Sequence, residues 1–140
     1  MTHPIGAWHA LAKASNPRAL AALLAEDAVF HSPVVHTPQR GRALATQYLS
    51  AALMILGNDS YRYVREIRGE RDALLEFELE LDGVQVNGAD LIRWTEAGQI
   101  DDVKVIIRPL KAIQAAQQKM AELLAQMQSR PESQYGSVSR

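Results

Sequence analysis

Two apolar–polar alternations joined by a tight turn constrain the fold of this 140-residue chain more than any other feature. From Ala73 to Leu81 every second residue is apolar, and most of the residues between are glutamates. Asp82-Gly83 follows, the strongest two-residue signal for a β-hairpin in the chain. Val84 to Trp94 then alternates again. Because a strand presents successive side chains to opposite faces, the sequence predicts a half-buried antiparallel hairpin.

A carboxylate interrupts the apolar face of the second hairpin strand. Asp90 shares that face with Val84, Val86, Gly88, Ile92 and Trp94. Burial disfavours the charged form of a carboxyl group and raises its pKa, which prepares it to give or take protons near neutral pH. Alternatively, Asp90 is structural, paired with an arginine or a tyrosine or bonded by backbone N–H groups. The residues alone leave both interpretations open.

The rest of the chain predicts helices before strands. Apolar spacing and breakers predict helices over 5–14, 17–24, 41–56 and 110–127, and strands over 28–31, 61–68, 73–81, 84–94 and 99–107. Asn16 is the expected N-cap of the second helix, with Pro17 in its first turn. The order predicts an α+β fold with a curved, mostly antiparallel sheet, three N-terminal helices and a C-terminal helix. Helices against the concave side of such a sheet make a cone whose mouth can hold a ligand.

Composition narrows the possible functions. The length suits one domain, expected over 1–127, and the polar residues 128–140 predict a disordered tail. A net charge of −1 without a basic stripe argues against nucleic acid. The chain has no cysteine, which excludes disulfides and thiol nucleophiles. No apolar stretch approaches a membrane span and no signal peptide is recognisable, so we expect a cytoplasmic protein without membrane contact.

Several side chains are candidates for a ligand pocket. The expected apolar lining includes Trp8, Phe30, Tyr48, Phe77, Ile92, Trp94 and Val105. Most of these would be simple core, but an open cone leaves some at a pocket wall. Tyr48 and Tyr63 are the expected hydroxyl donors. His31 and His36 flank a Pro-containing loop, and only one of Phe30 and His31 can point inward. No histidine spacing indicates a metal site, and we expect no metal and no cofactor.

Three stretches resemble the nuclear transport factor 2-like superfamily, which includes ketosteroid isomerases, SnoaL-like polyketide cyclases and limonene epoxide hydrolase. The first runs from Asn16-Pro17 to Phe30, the second is Ser32-Pro33-Val34-Val35 followed by Gly41, and the third is Asp90-Leu91-Ile92-Arg93-Trp94 continuing to Ile100. The resemblance covers roughly 5–115. It implies the cone fold and leaves the activity open, because this fold hosts many functions.

The resemblance also implies roles for single residues. Asp90 matches the oxyanion-hole aspartic acid of ketosteroid isomerases, a carboxylic acid that an apolar site keeps neutral. The general-base aspartate of those enzymes falls at Ser32, and their oxyanion-hole tyrosine falls near Trp8. In polyketide-cyclase-like members an inward aspartate is the acid or base, which also matches Asp90. The residue set of the epoxide hydrolase is not recognisable. His31 is the candidate base in place of Ser32.

Two functions remain as hypotheses. The first is an acid–base enzyme of the isomerase, cyclase or hydratase class, acting through Asp90 on an apolar, carbonyl-bearing small molecule. The second is a non-catalytic module that binds an apolar ligand or dimerises. Leu74, Leu91 and Ile106 lie among charged residues on the expected outer sheet face, and relatives in the superfamily commonly pair through this sheet. We therefore expect a homodimer through that face.

Overall fold

The computed structural model describes residues 3–14 and 16–139, with side chains over 3–12 and 16–126; positions 1, 2, 15 and 140 lie outside the description. Within these described residues, four helices and six strands follow one another. They are α1 (Pro4–Ala14), α2 (Pro17–Leu23), β1 (Leu24–His31), β2 (Gln39–Arg40), α3 (Arg42–Leu56), β3 (Arg62–Arg68), β4 (Asp72–Leu81), β5 (Val84–Trp94), β6 (Ile100–Arg108) and α4 (Leu110–Ser139).

The six strands form one curved, unclosed sheet in the order β2-β1-β6-β5-β4-β3. Every neighbouring pair is antiparallel except β1 and β6, which run parallel. This parallel pair joins the N-terminal part of the chain to the meander of strands β3 to β6. The α+β cone with a mostly antiparallel sheet is confirmed.

The central hairpin forms as its sequence predicts. Asp82 and Gly83 both have positive φ, 50° and 78°, which is the backbone of a two-residue turn that matches strand twist. β4 and β5 pair without a break from Asp72↔Arg93 to Leu81↔Val84. Because Asp90 faces Leu75 across this pair, the register fixes it in the middle of the sheet, on the buried face.

The boundaries of the N-terminal elements differ from the sequence pattern. Asn16 caps α2 as expected, its side chain accepting from the N–H groups of Arg18 and Ala19. The strand predicted from Ala28 begins at Leu24. β1 pairs with β6 at Leu24 and again from Val29, with a register irregularity between these two residues. The short β2 lies in the stretch predicted as loop. Both differences arise from pairing with distant residues, which local patterns do not report.

The concave face of the sheet is covered by helices. Ala112, Ala116 and Met120 of α4 are buried, and this helix packs on α3 and on strands β4, β5 and β6. α4 continues as helix to Ser139, past the predicted end at Met127. The domain over 1–127 and the disordered tail over 128–140 stay predictions. None of the helices in the described residues is both long and apolar enough to cross a membrane.

The convex face of the sheet carries both apolar and charged side chains, as the alternation along the strands predicts. Ile67, Leu74 and Leu91 are neighbours across β3, β4 and β5 on this face, and Ile67 is 55% exposed. Ion pairs flank them, including Arg65–Glu76 at 3.0 Å and Arg93–Asp101 at 3.1 Å. The convex face therefore offers an apolar row bordered by charges of both signs.

Candidate active site

Asp90 lies at the centre of the concave face, where its side chain is almost completely removed from water. The residue is 4% exposed, and its strand neighbours on the same face, Gly88 and Ile92, are buried as well. Across β6 it faces Val105, which is also buried. The carboxyl group predicted to lie among apolar side chains does so.

Two tyrosine hydroxyls converge on one oxygen of this carboxyl group. The Tyr63 hydroxyl donates to Asp90 Oδ2 at 3.3 Å, and the Tyr61 hydroxyl approaches the same atom at 3.5 Å, long for a hydrogen bond of this type. The indole Nε1 of Trp8 donates to the Tyr63 hydroxyl at 3.1 Å. The four side chains come from α1, from the start of β3 and from β5, so the tertiary fold assembles this network.

Burial and hydrogen bonding act in opposite directions on the Asp90 carboxyl group. Burial raises its pKa strongly from an ordinary value of 3.8, the hydrogen bonds from Tyr63, Tyr61 and Trp8 lower the pKa, and the net value is about 7. Burial, followed by the nearby Asp90 charge, raises the pKa of both tyrosines. Near neutral pH the two tyrosines therefore remain donors while Asp90 populates both its neutral and its charged form.

Aromatic packing holds the tyrosines in place. The Tyr61 ring stacks on Phe77, with centroids 5.2 Å apart, and meets the Tyr63 ring edge-on at 5.1 Å. Gly88 lies directly against Phe77: a Cβ at this position would come within 2.6 Å of the Phe77 ring and 2.6 Å of the Ile106 carbonyl oxygen. Glycine in the middle of β5 thus leaves the space that Phe77 needs to support Tyr61.

A histidine–glutamate pair ties α1 to β3 beside the network. His9 Nε2 lies 2.7 Å from Glu66 Oε1, and the imidazole meets the Tyr63 ring edge-on at 4.8 Å. The hydrogen bond from His9 lowers the pKa of Glu66. The pair therefore links α1, which carries Trp8, to β3, which carries Tyr63.

The chain matches the family model for the SnoaL-like domain over residues 5–103. The chain belongs to the SnoaL-like domain family. The match ends within β6, so α4, which packs on the concave face, lies beyond it. No curated protein matches the sequence.

Solved structures similar to this SnoaL-like chain include proteins with and without a stated activity. One is titled a steroid Δ-isomerase from Pseudomonas aeruginosa; it is 30% identical with a TM-score of 0.84, over 90% of this chain and 92% of that one. An uncharacterised protein of cystatin-like fold from Silicibacter pomeroyi DSS-3 is 26% identical with a TM-score of 0.82, over 96% and 92%. The epoxide hydrolase/cyclase-like enzyme SalBIII of salinomycin biosynthesis is 16% identical with a TM-score of 0.62, over 75% and 88%, which shows the fold alone.

Several residues predicted to line a pocket form the core of this SnoaL-like domain. Those that are buried are Trp8, Phe30, Phe77, Ile92, Trp94 and Val105. Tyr48 is half-buried on α3 and packs against the core. Two of the predicted residues are hydrogen-bonded into the network around Asp90. Tyr63 donates to Asp90 directly, and Trp8 donates to the Tyr63 hydroxyl. The others support the fold around the network, and their contact with a ligand stays a prediction.

His31 does not join Asp90. Phe30 points into the core and is fully buried, so the alternation of β1 turns His31 to the convex face. There His31 Nε2 lies 3.0 Å from Asp102 Oδ2. The geometry therefore gives no support to His31 as a base beside Asp90. Ser32 follows at the end of β1, and its hydroxyl accepts the N–H of Val34 at 3.2 Å.

Tyr61 is the member of the network that the sequence analysis missed. It precedes β3, an edge strand whose residues are mostly exposed, so no clear alternation marks its inner face. The available signal was the spacing of two between Tyr61 and Tyr63, which places both rings on one side of an extended chain. The burial of β5, which contains Asp90, alternates regularly. The stretch from Tyr61 into β3, which supplies the two tyrosines, shows no such alternation.

Four cavities of the described residues lie away from Asp90. One of about 470 Å³, here called the loop cavity, is lined by His31, Ser32, Pro33, Val35, His36, Pro38, Lys104, Val105, Ile106, Ile107 and Ile113. Others of about 400 Å³ and 240 Å³ lie on the convex face, and one of about 420 Å³ lies between the end of α3 and α4. Asp90 lines none of these four, so the ligand pocket around it stays a prediction.

Proposed function

We propose that this SnoaL-like protein is an acid–base catalyst of the isomerase or cyclase class, acting on an apolar, carbonyl-bearing small molecule. The observation that carries the proposal is a buried carboxyl group whose pKa of about 7 makes it both acid and base at neutral pH. Two tyrosine hydroxyls at the same carboxyl oxygen supply hydrogen-bond donors. The likeness to a structure titled a steroid Δ-isomerase supports the same class.

Asp90 is the proton carrier in this proposal, because it accepts the two tyrosine hydroxyls directly, whereas His9 and Glu66 beside the network are bonded to each other. Ser32 has only a hydroxyl, and His31 is on the convex face. The Asp90 carboxylate takes a proton from the carbon next to the carbonyl, breaking the C–H bond, and the electron pair moves towards the carbonyl oxygen. A tyrosine O–H stabilises that oxygen, and the neutral Asp90 returns the proton to another carbon of the same enolate.

The pH dependence of catalysis tests this role. With a β,γ-unsaturated ketosteroid as the probe, we expect kcat/KM for conversion to the conjugated ketone to rise with pH through a midpoint near 7, because only the carboxylate form of Asp90 accepts a proton. Ultraviolet absorbance of the conjugated product gives the rate. A kcat/KM that falls above this midpoint would instead show a neutral Asp90 acting only as a donor.

A specific observation favours the second function, a module that binds an apolar ligand and does not catalyse a reaction. Asp90 lines none of the four cavities described above, and the position where ketosteroid isomerases carry their base holds Ser32. In that case a ketosteroid or another apolar ketone binds, but its α-protons do not exchange with deuterium from D₂O. Proton NMR of the ketone in D₂O, with and without the protein, separates the two functions.

We also propose that two copies pair through the convex sheet face. The apolar row of Ile67, Leu74 and Leu91 supports this, because its borders carry both arginines and acidic residues, a pattern that can complement its own rotated copy. We expect Leu91→Lys to convert a dimer to a monomer in sedimentation velocity, with Lys111→Gln as the exposed control. A monomeric wild type would contradict this part. The cytoplasmic location stays a prediction.

A further inference from the structure

The loop cavity occupies a gap in the sheet. β1 ends at His31, which pairs with Lys104, whereas β6 continues alongside β5 as far as Arg108. From Val105 onward β6 therefore has no strand on its β1 side. The loop after His31 spans the gap, and Ile113 of α4 closes another wall. The result is a cavity of about 470 Å³, within the range of small-molecule sites.

The charge lining this cavity has one sign. Among the described residues that line it, Lys104 and His36 are basic or can become so, and none is a carboxylate. No hydrogen bond or ion pair to another described residue engages Lys104 or His36. His31 differs, because its Nε2 is bonded to Asp102. Lys104 is an exposed residue that lines the cavity, and an ammonium group beside a cavity without a protein partner favours an anionic ligand.

The rest of the lining is apolar. Val35, Ile106 and Ile113 are among the apolar lining residues, and Val35 is 40% exposed. Ile106 also lies on the convex face through which two copies are proposed to pair, so its exposure does not count as support for this site. One ammonium group matches one negative charge, whereas a phosphate-bearing ligand needs several donors. The nearby Asp102 also opposes a dianion. A ligand with one carboxylate on an apolar body matches both the ammonium group and the apolar lining.

We propose that the loop cavity is a binding site for apolar monocarboxylates, with the Lys104 ammonium as the anchor of the carboxylate and the loop after β1 as the wall. The site is separate from Asp90 and does not depend on the catalytic proposal. The two sites share neighbours on β6: Val105 faces Asp90 across the strands, and Ile106 and Ile107 lie against Gly88.

Two probes of the same shape test the site: 1-naphthylacetate, which carries a carboxylate, and 1-naphthylacetamide, which is uncharged. Titration of ¹⁵N-labelled protein, followed by NMR chemical shifts, gives both affinities and the position of binding. We expect the carboxylate to bind roughly tenfold more tightly than the amide, because a charge-assisted contact with the ammonium is lost. The shifts should centre on the loop after β1 and on the end of β6.

Variants separate this site from the one at Asp90. Lys104→Gln should remove the preference for the carboxylate, whereas Lys111→Gln, an exposed lysine outside the lining, should keep it. Val35→Trp should weaken both probes by filling the cavity, with an unchanged circular dichroism spectrum as the check on folding. Asp90→Asn should leave both affinities unchanged. Equal affinity of the two probes, shifts centred on Tyr63, or no saturable binding would overturn the proposal.

Discussion

Replacing Asp90 with Asn is expected to lower kcat/KM by about a thousandfold, the scale at which a positioned acid–base group contributes to proton transfer. Asparagine keeps the shape of the side chain and an oxygen that can accept from Tyr61 and Tyr63, but it cannot carry the proton. The loss should therefore appear in kcat, measured with the ketosteroid probe, and the affinity for the substrate should change little.

The matched control is Asp101→Asn, which removes a carboxylate from the convex face, where it pairs with Arg93. This variant should keep wild-type turnover. Asp90→Asn should also keep the melting temperature near wild type at pH 5.5, where Asp90 is mostly neutral. Undiminished turnover in a folded Asp90→Asn protein would sink the proton-carrier role and leave the binding module as the better description.

Wild-type stability is expected to decrease between pH 5 and pH 8, by on the order of 3 kcal/mol in the free energy of unfolding. The sign follows from burial: folded Asp90 keeps its proton up to a pKa of about 7, whereas the unfolded chain releases it near 3.8. Between these values the folded state binds the additional proton, so each rise in pH favours unfolding. The stabilisation is complete below the unfolded pKa and is lost as pH rises through the folded one.

Chemical denaturation at several pH values measures this effect, and Asp90→Asn supplies the comparison. Its amide does not titrate, so its stability should change less and should exceed that of wild type at pH 8. The pKa values of Glu66 and Glu76 are lowered, which places their titration below the measured range. If the free energies of unfolding of the two proteins changed with pH in parallel, Asp90 would not be the buried, protonated carboxyl group that the proposed site requires.

The sequence predicted the parts of the fold that depend on neighbouring residues. The alternation around Asp82-Gly83 predicted β4 and β5 nearly to the residue and placed Asp90 on the buried face, because one strand face must be apolar to pack. The Asn16 side chain predicted the start of α2 because capping needs only the next three residues.

The parts that the sequence did not predict depend on distant partners. The start of β1 at Leu24 and the two residues of β2 are stabilised by pairing across the sheet, which no local period reports. Tyr61, the network member that was not predicted, approaches Asp90 only after its edge strand packs onto the sheet. The loop cavity exists because β6 is longer than its neighbour β1, which is a difference between two strands far apart in sequence.

The parallel pair of β1 and β6 has a consequence for how the chain is made. Its contacts join positions such as His31 and Asp102, which are 71 residues apart. During translation β1 leaves the ribosome well before the strand it must pair with, so it stays without that partner until the ribosome has added about 70 further residues. Contacts this distant in sequence slow folding because the loop between them must first be closed. The meander from β3 onward can assemble first, and the N-terminal third of the protein then docks onto its last strand.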